Sequence, residues 1–447
     1  MSGATRTEAS GTGPGRPWLA FLESNTTGTG REFCAAARAR GFRPVLLTRD
    51  PGRYPYVSQD GVATRVLDTG DLSAVLDACA ALVADGGLAG VVSSSEYFVS
   101  AAAHAAAKLA LPAADGDAVA RCRDKEAQRL ALETGGVPVP AFVAVDDVEK
   151  AVRAADAIGH PVVLKPVSGS GSVGVRLCRD PDETRSWAGE LLGRATDERG
   201  NPLPTRILVE AAVTGPEFSV ETFDGAVVAV VAKHLGPQPY FVETGHDVPA
   251  PVPHATAAAL GDTALRALSA LGLGWGAAHT ELRMSADGPV VIEVNPRLAG
   301  GMIPVAVRAA TGVDLVDAVI ARAAGQTPAP AASGAGHAAV RFVRAEKEGR
   351  IAAVDGVQAA AAAPGVVAAT AGTAAGRTVR ITHSFQDRLG CVVATGPDAD
   401  RAVRRAEAAT RLISVRLENP ATPEEPRIPD TSHARTHGLD KESGANE

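Results

Sequence analysis

Apolar residues at the start of the chain alternate between two rhythms. Trp18-Leu19-Ala20-Phe21-Leu22 is an unbroken apolar run of strand length, Arg31 to Arg40 carries apolar positions at helical spacing and stops at Gly41, and Pro44-Val45-Leu46-Leu47 is a second apolar run. Strand, helix and strand of this kind make a βαβ unit of a parallel sheet. The alternation continues to about Pro112. A second unit opens at Val137 with a strand, a helix near 148–158, the apolar run Pro161-Val162-Val163-Leu164-Lys165, a Gly/Ser-rich loop and another strand. Farther on, Arg206 to Glu221 reads as two strands around a short connection. His279 to Met284 and Val290 to Glu293 read as a β-hairpin closed at Ser285-Ala286-Asp287-Gly288-Pro289. Helices over 303–310 and 315–324 precede a Pro/Ala/Gly-rich linker, Gln326 to Gly336. Strands are expected at Ala339–Val343, Thr378–Ile381 and Leu389–Gly396, then a helix from Pro397 to Leu417. Met1 to Arg16, rich in Gly, Thr and Ser, and the polar, Pro-rich residues from Asn419 read as disordered tails, and Asp197 to Pro202 as a surface loop. The pattern gives an α/β fold class, α+β in its middle part, without internal repeats.

Composition sharpens this picture. The chain has 447 residues, too many for one ordinary domain, and is 45% hydrophobic with only 4% aromatic residues, so Ala, Val and Leu must build its cores. Three packed units are expected. A formal net charge of −7 argues against a general nucleic-acid binder, which needs a basic surface. Cys34, Cys79, Cys122, Cys178 and Cys391 show no Cys-x-x-Cys spacing, and an odd number suits reduced thiols and a cytoplasmic location. The first residues are not an apolar leader, and no run of about 18 apolar residues suggests a membrane span.

Candidate chemistry concentrates in three places. Glu281 and Glu293 on a hairpin can face one side together, and period-two alternation sends Glu293, Asn295 and Arg297 to one face. Two carboxylates and an amide suit Mg²⁺ when water and phosphate complete its oxygen shell, and Arg297 can clamp an anion. In Lys165-Pro166-Val167-Ser168-Gly169-Ser170-Gly171-Ser172-Val173-Gly174 an apolar strand delivers a lysine to a loop whose N–H groups can approach phosphate oxygens. No Gly-Lys-Ser/Thr follows, so this is not a Walker loop. Between two strands, Glu210 and Glu217 read as exposed glutamates suited to the amino group of adenine and the ribose hydroxyls. Thr26-Thr27-Gly28-Thr29-Gly30, at the start of the first helix, offers N–H groups to an anion; the rest of a dinucleotide fingerprint is missing, so a substrate carboxylate is the better fit.

In this order the pieces resemble the ATP-grasp superfamily of carboxylate–amine ligases, over about residues 18 to 420. Asp124-Lys125, before Gly135-Gly136-Val137-Pro138, is the earliest matching motif. The resemblance implies an N-terminal Rossmann-like pre-ATP-grasp domain over 17–120 and a linker helix with the ATP-grasp lid over 121–210. A catalytic subdomain over 211–330 and a C-terminal subdomain over 331–418 would follow, between tails 1–16 and 419–447. It implies that Lys125, Lys165 and the loop Ser168, Gly169, Ser170, Gly171, Ser172 and Gly174 hold the ATP phosphates. Glu210 and Glu217 would hold adenine and ribose, and Glu281, Glu293 and Asn295 would hold two Mg²⁺ ions, with Mn²⁺ as an alternative.

Phe241-Val242-Glu243-Thr244-Gly245-His246-Asp247-Val248-Pro249 and Val91-Val92-Ser93-Ser94-Ser95-Glu96-Tyr97 narrow the likeness to the L-amino-acid ligases, dipeptide-forming enzymes that include ligases of peptide antibiotic pathways. By that likeness Glu96, Glu243 and His246 line an amino-acid pocket, and Arg297 stabilises the oxyanion, with Lys165 and His246 as further catalytic residues. Gly300-Gly301 stands where related ligases often carry bulkier side chains, which enlarges the expected pocket at Gly300. The implied partners are a small carboxylate and an amine, joined through an acyl phosphate, with no nucleic acid or membrane; relatives with a similar C-terminal part are often dimers, so a homodimer is compatible. Two other readings compete. One is a biotin-carboxylase-like enzyme that phosphorylates bicarbonate, although no Ala-Met-Lys-Met motif is present; the other is a silent nucleotide-binding protein, although Lys125, Lys165, Glu281, Glu293, Asn295 and Arg297 are all intact.

Overall fold

A computed structural model describes residues 15–25, 28–196 and 202–418. Most of both expected tails, Thr26 and Thr27, and 197–201 of the expected surface loop lie outside the described residues. The first domain runs β1 (Trp18–Leu22), α1 (Thr29–Ala39), β2 (Arg43–Thr48), α2 (Pro55–Gln59), β3 (Ala63–Val66), α3 (Leu72–Ala84), β4 (Leu88–Val92) and α4 (Val99–Lys108). Its parallel sheet has the order β3-β2-β1-β4, as the βαβ pattern requires. Helices α5 (Gly116–Arg121) and α6 (Lys125–Thr134) lead out of it, each capped by an aspartate, Asp115 and Asp124, whose carboxylate accepts two backbone N–H groups.

The next unit holds β5 (Phe142–Val145), α7 (Val148–Ile158), β6 (Val162–Pro166), β7 (Arg176–Cys178), α8 (Pro181–Leu192) and β8 (Ile207–Ala211). Its antiparallel sheet, β5-β8-β6-β7, is covered on one face by α7 and α8, whose Ala and Trp187 side chains form a separate small core. The chain then lays down β9 (Glu217–Phe223), β10 (Ala226–Leu235), β11 (Glu243–Val248), α9 (His254–Leu271), the hairpin β12 (Ala277–Ser285) and β13 (Gly288–Asn295), α10 (Ile303–Thr311) and α11 (Leu315–Ala323).

Last come β14 (His337–Arg344), β15 (Gly349–Asp355), α12 (Val357–Ala361), β16 (Val366–Ala371), β17 (Thr378–Val379), β18 (Arg388–Gly396), α13 (Ala399–Thr410) and β19 (Ser414–Leu417). Strands β14, β18 and β16 extend the large antiparallel sheet, whose order is β13-β12-β9-β10-β11-β14-β18-β16. The segment beyond the linker therefore continues the large sheet. The helix expected from Pro397 to Leu417 is shorter than its pattern suggested. It ends at Thr410, and Ser414–Leu417 instead pairs with β15, because Val415 and Leu417 alternate toward Ile351 and Val379. The strand expected at Thr378–Ile381 keeps only its first two residues, and β15 and β16, short and Ala-rich, had no distinct signal.

Small side chains let the units approach closely. One continuous core joins Leu19, Phe21 and Phe33 of the first domain to Leu298, Ile303, Val340 and Val393. Arg40 on α1 forks onto Asp317 on α11, with both contacts at 2.5 Å, a bidentate geometry that fixes orientation as well as charge. Gly90 on β4 lies so near the end of α11 that an added Cβ would collide with the Ala323 carbonyl. Replacing Gly90 by Ala must therefore displace backbone, not a flexible side chain. We expect Gly90→Ala to destabilise the protein by about 1–3 kcal/mol, read as a lowered urea midpoint at unchanged m; a midpoint equal to wild type would disprove the close contact.

Candidate active site

The first domain, the lid and the large sheet enclose a cavity of about 1770 Å³. Small-molecule pockets usually measure about 300–1,000 Å³, so this one has room for a nucleotide and further substrates. One wall is cationic. Lys125 opens α6, donates to the Gly169 carbonyl at 2.8 Å and lies 3.2 Å from Glu293. Lys165 ends the apolar strand β6 and pairs with Glu210 at 2.5 Å, and Arg129 of α6 holds the other oxygen of Glu210 at 2.6 Å. Glu210 is thus not an exposed connection residue as its position implied. It faces inward from β8, 3% exposed, because two cations stand opposite it. Burial pushes its carboxyl up, but Arg129 and Lys165 outweigh that and hold it ionised. Burial first, then Arg129 and Lys125, pull Lys165 down against the opposing pull of Glu210. Of the glycine-rich loop, Ser170, Gly171 and Ser172 line the cavity. Ser168, Gly169 and Gly174 do not; the Gly169 carbonyl accepts Lys125 and the Gly174 carbonyl accepts the Trp187 indole at 3.1 Å.

The hairpin forms the opposite wall as its spacing predicted. Glu281 and Glu293 are direct partners across the ladder, as are His279 and Asn295. Glu281 contacts Lys233 at 2.7 Å and His279 at 3.1 Å. His279 in turn holds Glu221 at 2.7 Å. Burial would lower His279, but Glu221 and Glu281 raise it to about 9, so it is a cation at neutral pH. Burial likewise raises Glu281, and Lys233 and His279 reverse that, leaving it well below the usual carboxylate range. Among the described residues no three His, Cys, Asp or Glu side chains gather in metal-holding geometry. Two opposed carboxylates and the amide of Asn295 are instead a donor set for a hard divalent cation whose remaining positions phosphate and water would fill.

Lys233 is the centre of this region. It ends the apolar part of β10, is 6% exposed, and lies 3.1 Å from Glu217, 2.8 Å from Glu243 and 2.7 Å from Glu281. Burial disfavours its charge, yet the three carboxylates raise it well above a free lysine. Glu217, also read as exposed, is instead mostly buried, since Arg283 takes its other oxygen at 2.9 Å.

Glu96, Glu243, Arg297 and Gly300 share the remaining wall. Glu96 bridges Arg123 and Arg297, and Glu243 bridges Lys233 and Arg388. Both carboxylates stay ionised because these cations outweigh burial. Oε2 of Glu96 is filled by two donors of Arg297, while Oε1 of Glu96 and both oxygens of Glu243 keep lone-pair capacity for one more donor. No atom lies within 4 Å of where a Gly300 side chain would start, so the pocket is open there. His246 departs from expectation: it is fully buried behind Gly301, edge-on to Phe342, and does not reach the cavity. Its Nε2 lies 3.5 Å from Glu243, too far for a hydrogen bond, so it meets the cavity wall only from behind. At the rim of the first domain, Gly28 and Thr29 line the cavity where α1 begins, beside Thr26 and Thr27, which lie outside the described residues.

The sequence singled out none of Lys233, Arg123, Arg129 and Arg388 as functional, nor His279. Lys233 had a readable signal, since Val227 to Ala232 is an apolar run delivering a lysine just as Val162 to Leu164 delivers Lys165. Arg388 had none.

Burial lowers His246 to about 3, against 6.5 for a free histidine. In the pH window between these values the unfolded chain binds a proton that the folded chain refuses, so this residue makes stability fall as pH drops below 6.5. His246→Gln should flatten that decline by about 1.4 kcal/mol per pH unit in the lower part of the window, measured by urea unfolding at several pH values; identical slopes would refute a neutral buried His246.

Residues 158–305 match the model of the ATP-grasp domain, and 341–418 that of the L-amino acid ligase C-terminal domain 2. Among relatives, an uncharacterised protein of Sinorhizobium fredii is 36% identical over 389 residues, covering 86% of this chain and 81% of that one. Carnosine synthase 1 of Gallus gallus is 34% identical over 184 residues, 39% of this chain but only 20% of that protein. The solved L-amino acid ligase of Bacillus licheniformis shares the fold, with a TM-score of 0.75 at 22% identity over 90% of this chain and 99% of that one. No helix among the described residues is long and apolar enough to cross a membrane. By these matches the chain belongs to the ATP-grasp carboxylate–amine ligases, in the branch that carries an L-amino acid ligase C-terminal domain.

Proposed function

We propose that this enzyme joins the carboxyl group of one amino acid to the amino group of another at the expense of ATP. The observation that carries this reading is the continuity of one cavity from the Lys125–Lys165 wall, past Glu281 and Glu293, to the Glu96, Glu243 and Arg297 pocket. A carboxylate bound in that pocket reaches the phosphate end of a nucleotide without leaving the enclosure.

The chemistry runs in two steps. A carboxylate oxygen of the acid attacks the γ-phosphorus in line, the bond to the β,γ-bridging oxygen breaks, and ADP leaves with the electron pair. The amine lone pair then attacks the acyl carbon, the carbon–oxygen bond to phosphate breaks, phosphate leaves, and the amine's proton passes to phosphate or solvent. Lys125, Lys165 and the N–H groups of Ser170, Gly171 and Ser172 would bind the triphosphate, and the wall at 210–217 would receive adenine and ribose. Glu281, Glu293 and Asn295 would hold Mg²⁺ or Mn²⁺, which when bound supplies charge neutralisation on the phosphates. Arg297 is aimed by Glu96 and stands ready for the oxyanion of the tetrahedral intermediate. Glu96 and Glu243 would accept the ammonium of the amino-acid substrate on their remaining lone pairs.

Two measurements test this. Phosphate release from ATP across a matrix of amino-acid pairs, with product masses, should show turnover requiring two amino acids and a mass equal to acid plus amine minus water; bicarbonate-dependent turnover alone would overturn the reading. Glu293→Gln should fold normally, since its side chain meets the cavity rather than the core, and should lower kcat/KM by about a hundredfold or more. Near-wild-type turnover of that variant would remove the carboxylate pair from the mechanism.

A further inference from the structure

The tip of the C-terminal segment, residues 382–387, reaches across the sheet to the glycine-rich loop. Its own shape is fixed from within. Ser384 caps the short 3-10 turn Phe385–Asp387, and buried Asp387 accepts from the Thr382 N–H at 2.7 Å and hydroxyl at 2.8 Å. The Asp387 carbonyl accepts the Ala345 N–H at 2.8 Å, which anchors the turn to the end of β14.

From this base the Phe385 N–H donates to the Gly171 carbonyl at 3.1 Å. The Phe385 ring fills the place a Gly171 side chain would need, and Gly171 has φ +65. Beside it, His383 stacks on Tyr240 with ring centroids 3.8 Å apart and planes 2° from parallel. The neighbouring Phe241 carbonyl accepts the Ser172 hydroxyl at 2.9 Å. Three contacts from elsewhere in the chain therefore converge on Gly171 and Ser172, two of the loop residues that line the cavity. The turn is followed directly by Arg388, the cation on Glu243. One rigid segment thus touches the phosphate loop at one end and the substrate pocket at the other.

We propose that Phe385 is a positioning residue for the phosphate loop, which it holds closed over the acyl phosphate while the amine attacks. This rests on the ligase reading above. A loosened loop admits water, which adds to the acyl carbon; the carbon–oxygen bond to phosphate breaks, and the free acid and phosphate are released with no product gained. Loss of Phe385 should therefore appear as wasted ATP, not merely slow turnover.

The test compares wild type, Phe385→Ala, Phe385→Leu and His383→Ala in the full chain, by hydrogen exchange of amides 169–175 with Mg-ATP and by the ratio of ADP formed to ligated product. Phe385→Ala should raise loop exchange about tenfold and raise the ADP-to-product ratio several-fold above one, while Phe385→Leu restores most of both. Should Phe385→Ala fail to fold, His383→Ala, which breaks only the stack on Tyr240, should shift both readouts the same way. Unchanged loop exchange and an unchanged ratio in folded variants would overturn the proposal. Faster loop exchange in a protein whose wild type makes no ligated product would overturn the ligase reading and leave the loop contact standing.

Discussion

Charge taken out of water governs this molecule. An isolated buried ion is far too costly to keep, so each must meet an opposite charge at short range with its remaining hydrogen bonds satisfied. The cavity solves this by alternation. Glu221, His279, Glu281, Lys233, Glu243 and Arg388 run as a chain of opposite signs across the sheet, Arg129 and Lys165 flank Glu210 on the facing wall, and Lys125 meets Glu293 between the two. Strand register sets these spacings. Glu281 stands opposite Glu293 and beside Ser219, and Lys233 stands opposite Glu217, because three antiparallel ladders place them there.

The scarcity of aromatic side chains and the architecture have the same root. A core of Ala, Val and Leu permits backbones to approach closely, as at Gly90 against Ala323 and Gly312 against Ala332. Close approach brings the four elements that supply the site, the first domain, the lid, the hairpin and the C-terminal strands, within reach of one another. Trp187, Tyr240 and Phe385 gather around the glycine-rich loop.

Much of this was legible in the sequence, and the limits have physical causes. The βαβ units, helix 148–158 and the hairpin were readable because each is decided by local periodicity and turn residues. Lys125, Lys165, Glu281, Glu293, Asn295 and Arg297 were readable because each sits in a local motif. Burial of Glu210 and Glu217 was not, since it depends on Arg129 and Arg283 arriving from elements 81 and 66 residues away. The same holds for His246, whose spacing to Glu243 suggested a shared pocket, while packing under Gly301 put it behind the wall. The end of α13 failed for a different reason: its apolar residues fit helix and strand alike, and only the pairing of β19 with β15 decides between them.

The alternating network also constrains how ligands enter. Both carboxylates of the hairpin and both of the substrate pocket already carry cations, so an incoming ligand adds to a charge balance that is nearly closed. A triphosphate brings several negative charges, and Lys125 and Lys165 can turn to it only if Glu293 and Glu210 receive another positive partner. For Glu293 that partner is a divalent cation; for Glu210 it is Arg129, which already holds it. On the proposed function, nucleotide and metal would therefore be favoured together more than either is alone. Glu243 lies one lysine away from Glu281, because Lys233 holds both carboxylates.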